Sequence, residues 1–98
     1  MKVCLSAEAE TELEAIGDYI ARDNPLRAAS FVCDIRTACL GLGDFPDRFP
    51  LVPRYERHGV RHRALGDYLI FYSVGAEEVF VLHILHGARD YASILFPE

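Results

Sequence analysis

Between His86 and Tyr91 the chain places an imidazole, a guanidinium and a phenol: His86, Arg89 and Tyr91. An RNA-cleaving site needs such groups. One is a base for the 2′-hydroxyl, one a cation for the phosphorane-like transition state, and one an acid for the leaving oxygen. The same stretch also has a plain structural reading, in which Arg89 and Asp90 pin the C-terminal segment by a charge-assisted hydrogen bond. A second group, Arg61, Arg63, Tyr68 and Tyr72, has the composition of a protein-binding surface, where arginine and tyrosine are enriched. Metal chemistry is not expected. His83 and His86 are three apart in a strand and so point to opposite faces, and no cysteine stands at ligand spacing with them. The chain has no GxSxG, no Gly-rich phosphate loop and no HExxH, and the glutamates near the N-terminus are expected on the solvated side of a helix. No cofactor is implied.

These residues sit on a stretch that reads as an antiparallel meander, residues 59–90. Gly66-Asp67 offers the positive φ of a two-residue hairpin loop, and Val74–Glu78 a looser connection. The runs Val60–Leu65, Tyr68–Ser73 and Val79–His86 are rich in β-branched and aromatic residues. A two-residue loop pairs Leu65 with Tyr68, Arg63 with Ile70 and Arg61 with Tyr72. Alternation then puts Arg61, Arg63, Tyr68, Ile70 and Tyr72 on one face. Val60, Ala64, Leu69 and Phe71, with His62, take the other, which is the expected seat for the helices.

Upstream, Lys2–Leu5 is a strand candidate. Ser6 caps a helix whose apolar face is Ala9, Leu13, Ile16 and Ile20, ending near Arg22. Asn24-Pro25 starts a second helix, about 25–42, with Ala28, Phe31, Val32, Ile35, Cys39 and Leu42 on one stripe and Gly41 and Gly43 at its exit. Joined so closely, the two form an antiparallel hairpin. Pro46, Pro50 and Pro53 make residues 44–58 an irregular linker. Residues 91–96 read as a short helix or a strip packed on the sheet. The expectation is one α+β domain over residues 1–98: an N-terminal strand, a two-helix hairpin on an antiparallel meander, and a short C-terminal helix or tail.

Composition narrows the functional classes. The chain has 98 residues, 51% of them apolar and 26% charged, which is ordinary globular composition. No apolar run reaches the ~18 residues of a spanning helix, and Met1-Lys2-Val3 leads into structure rather than a signal peptide. Cys4, Cys33 and Cys39 read as reduced core residues of a cytoplasmic protein. The net charge of −5 opposes binding to nucleic acid mainly through phosphates. Residues 48–63 nevertheless carry five arginines against one glutamate, either a basic patch for an acidic protein partner or a solvated arginine-rich loop and strand.

The order of elements, with Asn24-Pro25, Ala28-Ala29, Phe31, Gly59-Val60-Arg61, Tyr68–Tyr72 and the run Ile84-Leu85-His86-Gly87-Ala88-Arg89-Asp90, resembles the RelE/ParE toxin superfamily, and most closely its ParE-type branch. The resemblance implies a toxin of a type II toxin–antitoxin pair. Its partner would be a ParD-like ribbon-helix-helix antitoxin, through which alone the pair contacts operator DNA. ParE-type toxins inhibit DNA gyrase and trap its cleaved-DNA state, whereas RelE-type relatives cut mRNA on the ribosome with basic and aromatic residues. An acidic chain whose one lysine is Lys2 fits the gyrase branch better. No catalytic residue is carried over. The expected mechanism is inhibition by binding, with Arg61, Arg63, Tyr68, Tyr72, Arg89 and Tyr91 as contacts to target or antitoxin. The alternatives are a ribosome-dependent endoribonuclease using His86, Arg89 and Tyr91, and a non-toxic member acting only in the repressing complex. On the binding reading, reversing the charges of Arg61 and Arg63 together abolishes toxicity and leaves the fold intact.

Overall fold

Ser6 and Asn24 open the two long helices in the same way. In the computed structural model, which describes residues 1–97 and leaves Glu98 outside the described residues, the Ser6 hydroxyl accepts the Ala9 N–H and Asn24 Oδ1 accepts the Arg27 N–H, both at 3.0 Å. Each satisfies a donor that a helix start leaves without an intrahelical partner. Helix α1 spans Ala7–Ala21 and α2 spans Pro25–Gly41, with Pro25 in the first turn, where no N–H is needed. Beyond α2, the Gly43 carbonyl accepts the Met1 ammonium at 2.8 Å. A side chain at position 43 would collide with the Met1 backbone, so this close approach requires glycine.

The strands are β1 (Lys2–Leu5), β2 (Val60–Leu65), β3 (Tyr68–Val74) and β4 (Glu78–His86), in the order β1-β4-β3-β2. The meander β2–β3–β4 is antiparallel as expected, with Leu65 opposite Tyr68, Arg63 opposite Ile70 and Arg61 opposite Tyr72. Gly66 holds φ +59° in its hairpin loop. Strand β1 lies parallel to β4, so the sheet is mixed. The register slips between Phe71 and Tyr72, which face His83 and Val81, and Leu82 is the extra residue of a bulge. Residues 44–55 are irregular, as the prolines require, and one 3-10 turn, Glu56–His58, leads into β2. Their one bridge joins Leu51 to Arg61, where the Pro50 carbonyl accepts the His62 N–H and the Val60 carbonyl accepts the Val52 N–H. This covers half of the free edge of β2.

The sheet is packed on both faces. On one, Ile70, Tyr72, Val79, Val81 and Ile84 meet Leu13, Ile16, Phe31, Ile35, Cys39 and Leu42 of the hairpin and its exit. On the other, Val60, Phe71 and Leu85 meet Val52 and Phe96, with Tyr91, Ile94 and Leu95 against them. The helices therefore occupy the face opposite to the one the sequence led us to expect. Both faces carry apolar side chains, and on the helix side Arg63 finds a partner in the Ala38 carbonyl of α2. The second face is roofed by helix α3 (Tyr91–Leu95) and by Phe96, whose ring stacks on Tyr55 at 4.3 Å and 8°. One reading of a single residue also changes. Cys39 is buried, but Cys33 is exposed on α2, so it is not a core residue.

The five-residue α3 is too short to hold itself, so its order derives from this packing. Replacing Phe96 with alanine is expected to cost about 3 kcal/mol in urea unfolding. An unchanged midpoint would show that the C-terminal segment is not part of the fold's core.

Candidate docking site

The arginines of β2 are committed to the protein itself. Arg61 Nη1 donates to the carbonyls of Phe49 at 2.7 Å and Asp47 at 3.2 Å, its Nη2 lies 3.5 Å from the Asp47 carboxylate, and its side chain is only 23% exposed. Arg63 Nη1 donates to the Ala38 carbonyl of α2 at 3.0 Å, and its guanidinium lies 4.9 Å from the Phe49 ring centroid. Tyr72 is fully buried beneath the helices, its hydroxyl donating to the Pro46 carbonyl at 2.7 Å, and burial pushes its phenol pKa up. These residues were expected to form a docking surface. They instead lash the proline-rich linker and α2 to the sheet, because a loop that crosses an edge strand exposes carbonyls that need donors.

Nor do the three groups of the nuclease arrangement converge. Tyr91 lies on the roofed face, its ring 5.0 Å from Phe71. His86 stands opposite Tyr68, the two rings edge-to-face at 5.3 Å, and its Nδ1 accepts the Ala88 N–H at 3.0 Å. Tyr68 belongs to the helix-side cluster and Phe71 to the roofed one, so Tyr91 and His86 stand on opposite faces of the sheet. The expected pin between Arg89 and Asp90 takes a different form: Asp90 caps α3 by accepting from the Ser93 N–H and hydroxyl. The roofed face presents Val60, Leu69, Phe71 and Leu85. His62 is half-buried near Phe71, and burial alone lowers its imidazole pKa.

Three of the candidates, Tyr68, His86 and Arg89, do face open space. A trough of about 610 Å³ lies where the ends of α1 and β4 meet the start of α2 and the β2–β3 loop, lined by Tyr19, Arg27, Phe31, Asp67, Tyr68 and His86. It runs past Tyr19, Tyr68 and His86 into a hollow of about 190 Å³ that reaches Glu12 and Arg89. Tyr19 is 66% exposed. Arg27 sits 4.9 Å from the Phe31 ring centroid, hydrogen-bonds Ser30 and lies 3.6 Å from Asp34. Burial, helped by nearby Tyr19 and Asp67, raises the Tyr68 phenol pKa. Tyr19 and Arg27 were missed in the sequence. The available signal was a large aromatic on an otherwise acidic helix face.

Glu12 was also misplaced, on the solvated side of α1. Its carboxylate turns to the bulge of β4, where Oε1 accepts the Ile84 N–H at 2.9 Å and Oε2 lies 2.8 Å from His83 Nδ1. Strand β1 ends at Leu5, and the Glu12 side chain supplies the acceptor that a continuing strand would have given Ile84. This fixes the end of β4 that carries His86.

The family described as "ParE toxin of type II toxin-antitoxin system, parDE" matches residues 3–91. "Toxin RelE2" of Caulobacter vibrioides is 33% identical over 81 residues, spanning 83% of this chain and 89% of that protein. Among solved structures, a chain of the chromosomal ParDE TA system from P. aeruginosa superposes with a TM-score of 0.76 at 24% identity, covering 88% of this chain and 95% of that one.

Two outcomes follow from the geometry. Reversing Arg61 and Arg63 together is expected to destabilise the fold by about 2–4 kcal/mol, since the half-buried carbonyls of Phe49 and Ala38 lose their donors, and so to lower the melting temperature. A wild-type melt would show that these arginines are not structural ties. His62 has its pKa lowered from 6.5, so the native state binds fewer protons than the unfolded chain near that pH. Its contribution is complete above pH ~6.5 and declines as pH falls below it. Relative to His62→Gln, the wild type should therefore lose stability between pH 7.5 and 5.5; parallel pH curves would refute this.

Proposed function

Since the chain belongs to the ParE toxin family of type II toxin–antitoxin systems, we propose that it arrests DNA gyrase by binding and stabilising the cleaved-DNA state. In this reading it acts in the cytoplasm and is neutralised by a ParD-like ribbon-helix-helix antitoxin. It reaches operator DNA only through that antitoxin, and it makes or breaks no bond itself.

The observation that carries the reading is the state of the sheet face opposite the helices. Cleavage of a phosphodiester needs a base, an acid and a cation within hydrogen-bond reach of one phosphate. That face is filled by Val60, Leu69, Phe71 and Leu85 and roofed by Tyr91–Phe96. Of the three groups proposed for a nuclease, His86 and Tyr91 lie on opposite sides of the sheet. The one lysine, Lys2, lies in β1, on the edge opposite β2. Inhibition by binding asks only for a rigid surface of rings and guanidinium groups, and the ends of the sheet and hairpin supply one.

The purified chain, added to gyrase with ATP and relaxed plasmid, is expected to suppress supercoiling and accumulate cleaved DNA. It should leave mRNA intact on translating ribosomes. Codon-positioned mRNA cuts with supercoiling unaffected would replace this reading with the ribonuclease one.

A further inference from the structure

We propose that the trough bounded by Tyr19, Arg27, Phe31, Tyr68, His86 and Arg89 is the surface through which the chain grips the protein it inhibits, and that it takes a segment carrying an apolar or aromatic side chain between carboxylates. This rests on the toxin reading above and deepens it.

Both faces of the sheet are already covered, and the arginines of β2 are already bonded. What the sheet itself leaves free for a partner is its edges and ends. At this end four rings converge from four different elements: Tyr19 from α1, Phe31 from α2, Tyr68 from β3 and His86 from β4. Phe31 and Tyr68 lie 5.7 Å apart, and Tyr68 and His86 5.3 Å. Each ring stands on a helix or strand, and the end of β4 is fixed by Glu12. The surface therefore exists before any partner arrives, which lowers the ordering cost of binding.

Charge selects the occupant. Arg27 stands at one end of the trough and Arg89 at the other, with the rings between them. Arg89 has no ion pair among the described residues, and Arg27 has only an exposed one, at 3.6 Å to Asp34. A partner carboxylate can therefore pair with each cation at little cost. Asp67 and the net charge of −5 oppose a polyanion such as DNA along the whole trough. An apolar side chain flanked by isolated carboxylates meets the rings with its body and the arginines with its charges. Rings and guanidinium groups of this kind are also the residues that dominate binding energy at protein interfaces.

The test uses Tyr19→Ala and Arg89→Glu, two exposed positions whose side chains make no hydrogen bond in the fold. Phe45→Ala, at the far end of α2, is the exposed apolar control. Each is expressed without antitoxin and scored by colony counts, with thermal melts confirming the fold. Both trough variants should lose toxicity, with at least a tenfold rise in the amount of protein needed to suppress supercoiling, while Phe45→Ala behaves as wild type. Folded trough variants that kill as well as wild type overturn the proposal, and so do trough variants that stay toxic but no longer bind antitoxin, since the trough would then be the antitoxin's seat. Wild-type protein that kills without touching gyrase sinks the gyrase reading alone, because the colony counts still judge the trough.

Discussion

A sheet with apolar side chains on both faces has to be covered twice. In β3 the consecutive residues Ile70, Phe71 and Tyr72 are all fully buried, and alternation sends the middle one to the opposite side from its neighbours. A fully buried aliphatic or aromatic side chain is worth about 1.5–3 kcal/mol relative to exposure, so neither side can be left open. The helical hairpin answers for Ile70 and Tyr72. Residues Val52, Tyr55 and the C-terminal segment answer for Phe71. With 98 residues to spend, both coverings are thin. The second one is a five-residue helix, a single stacked phenylalanine, and Val52 and Tyr55 of the linker.

That constraint decides what the arginines do. The linker must cross from the helices to β2 over the rim of the sheet, and two of its carbonyls, at Pro46 and Phe49, would be half-buried without partners, with that of Asp47 exposed beside them. Arg61 and Tyr72 donate to them, and Arg63 does the same for α2 at Ala38. A guanidinium suits this work because it keeps several donors in a fixed plane on an apolar stem that can lie against Phe49. Two of the five arginines of the basic segment, Arg61 and Arg63, thus serve as an internal fastening. On the docking proposal, binding falls instead to the end of the sheet, where Tyr19, His86 and Arg89 are exposed.

Much of this was legible in the residues. Ser6, Asn24 and Pro25 marked the helix starts, Gly66-Asp67 fixed the register of the hairpin, and the Asn24-Pro25 junction and the ILHGARD run pointed to the family. The choice of covered face was not legible, because both faces carry apolar residues and an arginine scores as polar whether it meets water or a carbonyl. The parallel pairing of β1 with β4 joins residues more than seventy positions apart, beyond what local pattern can reveal. Glu12 borders the apolar stripe of α1, and only the bulge in β4 explains why it turns inward. The residues of the trough were half readable: Tyr68, His86 and Arg89 were named, but Tyr19 and Arg27 came into view only when four element ends met.

Amide hydrogen exchange of the chain alone and mixed with gyrase tests the account most directly, because it reads the gripped surface without altering a residue. The account predicts slower exchange in segments around Tyr19, Gly66–Leu69 and His86–Arg89, with Val60–Arg63 and Ala92–Phe96 unchanged. Protection confined to the roofed face, or none at all, would contradict it.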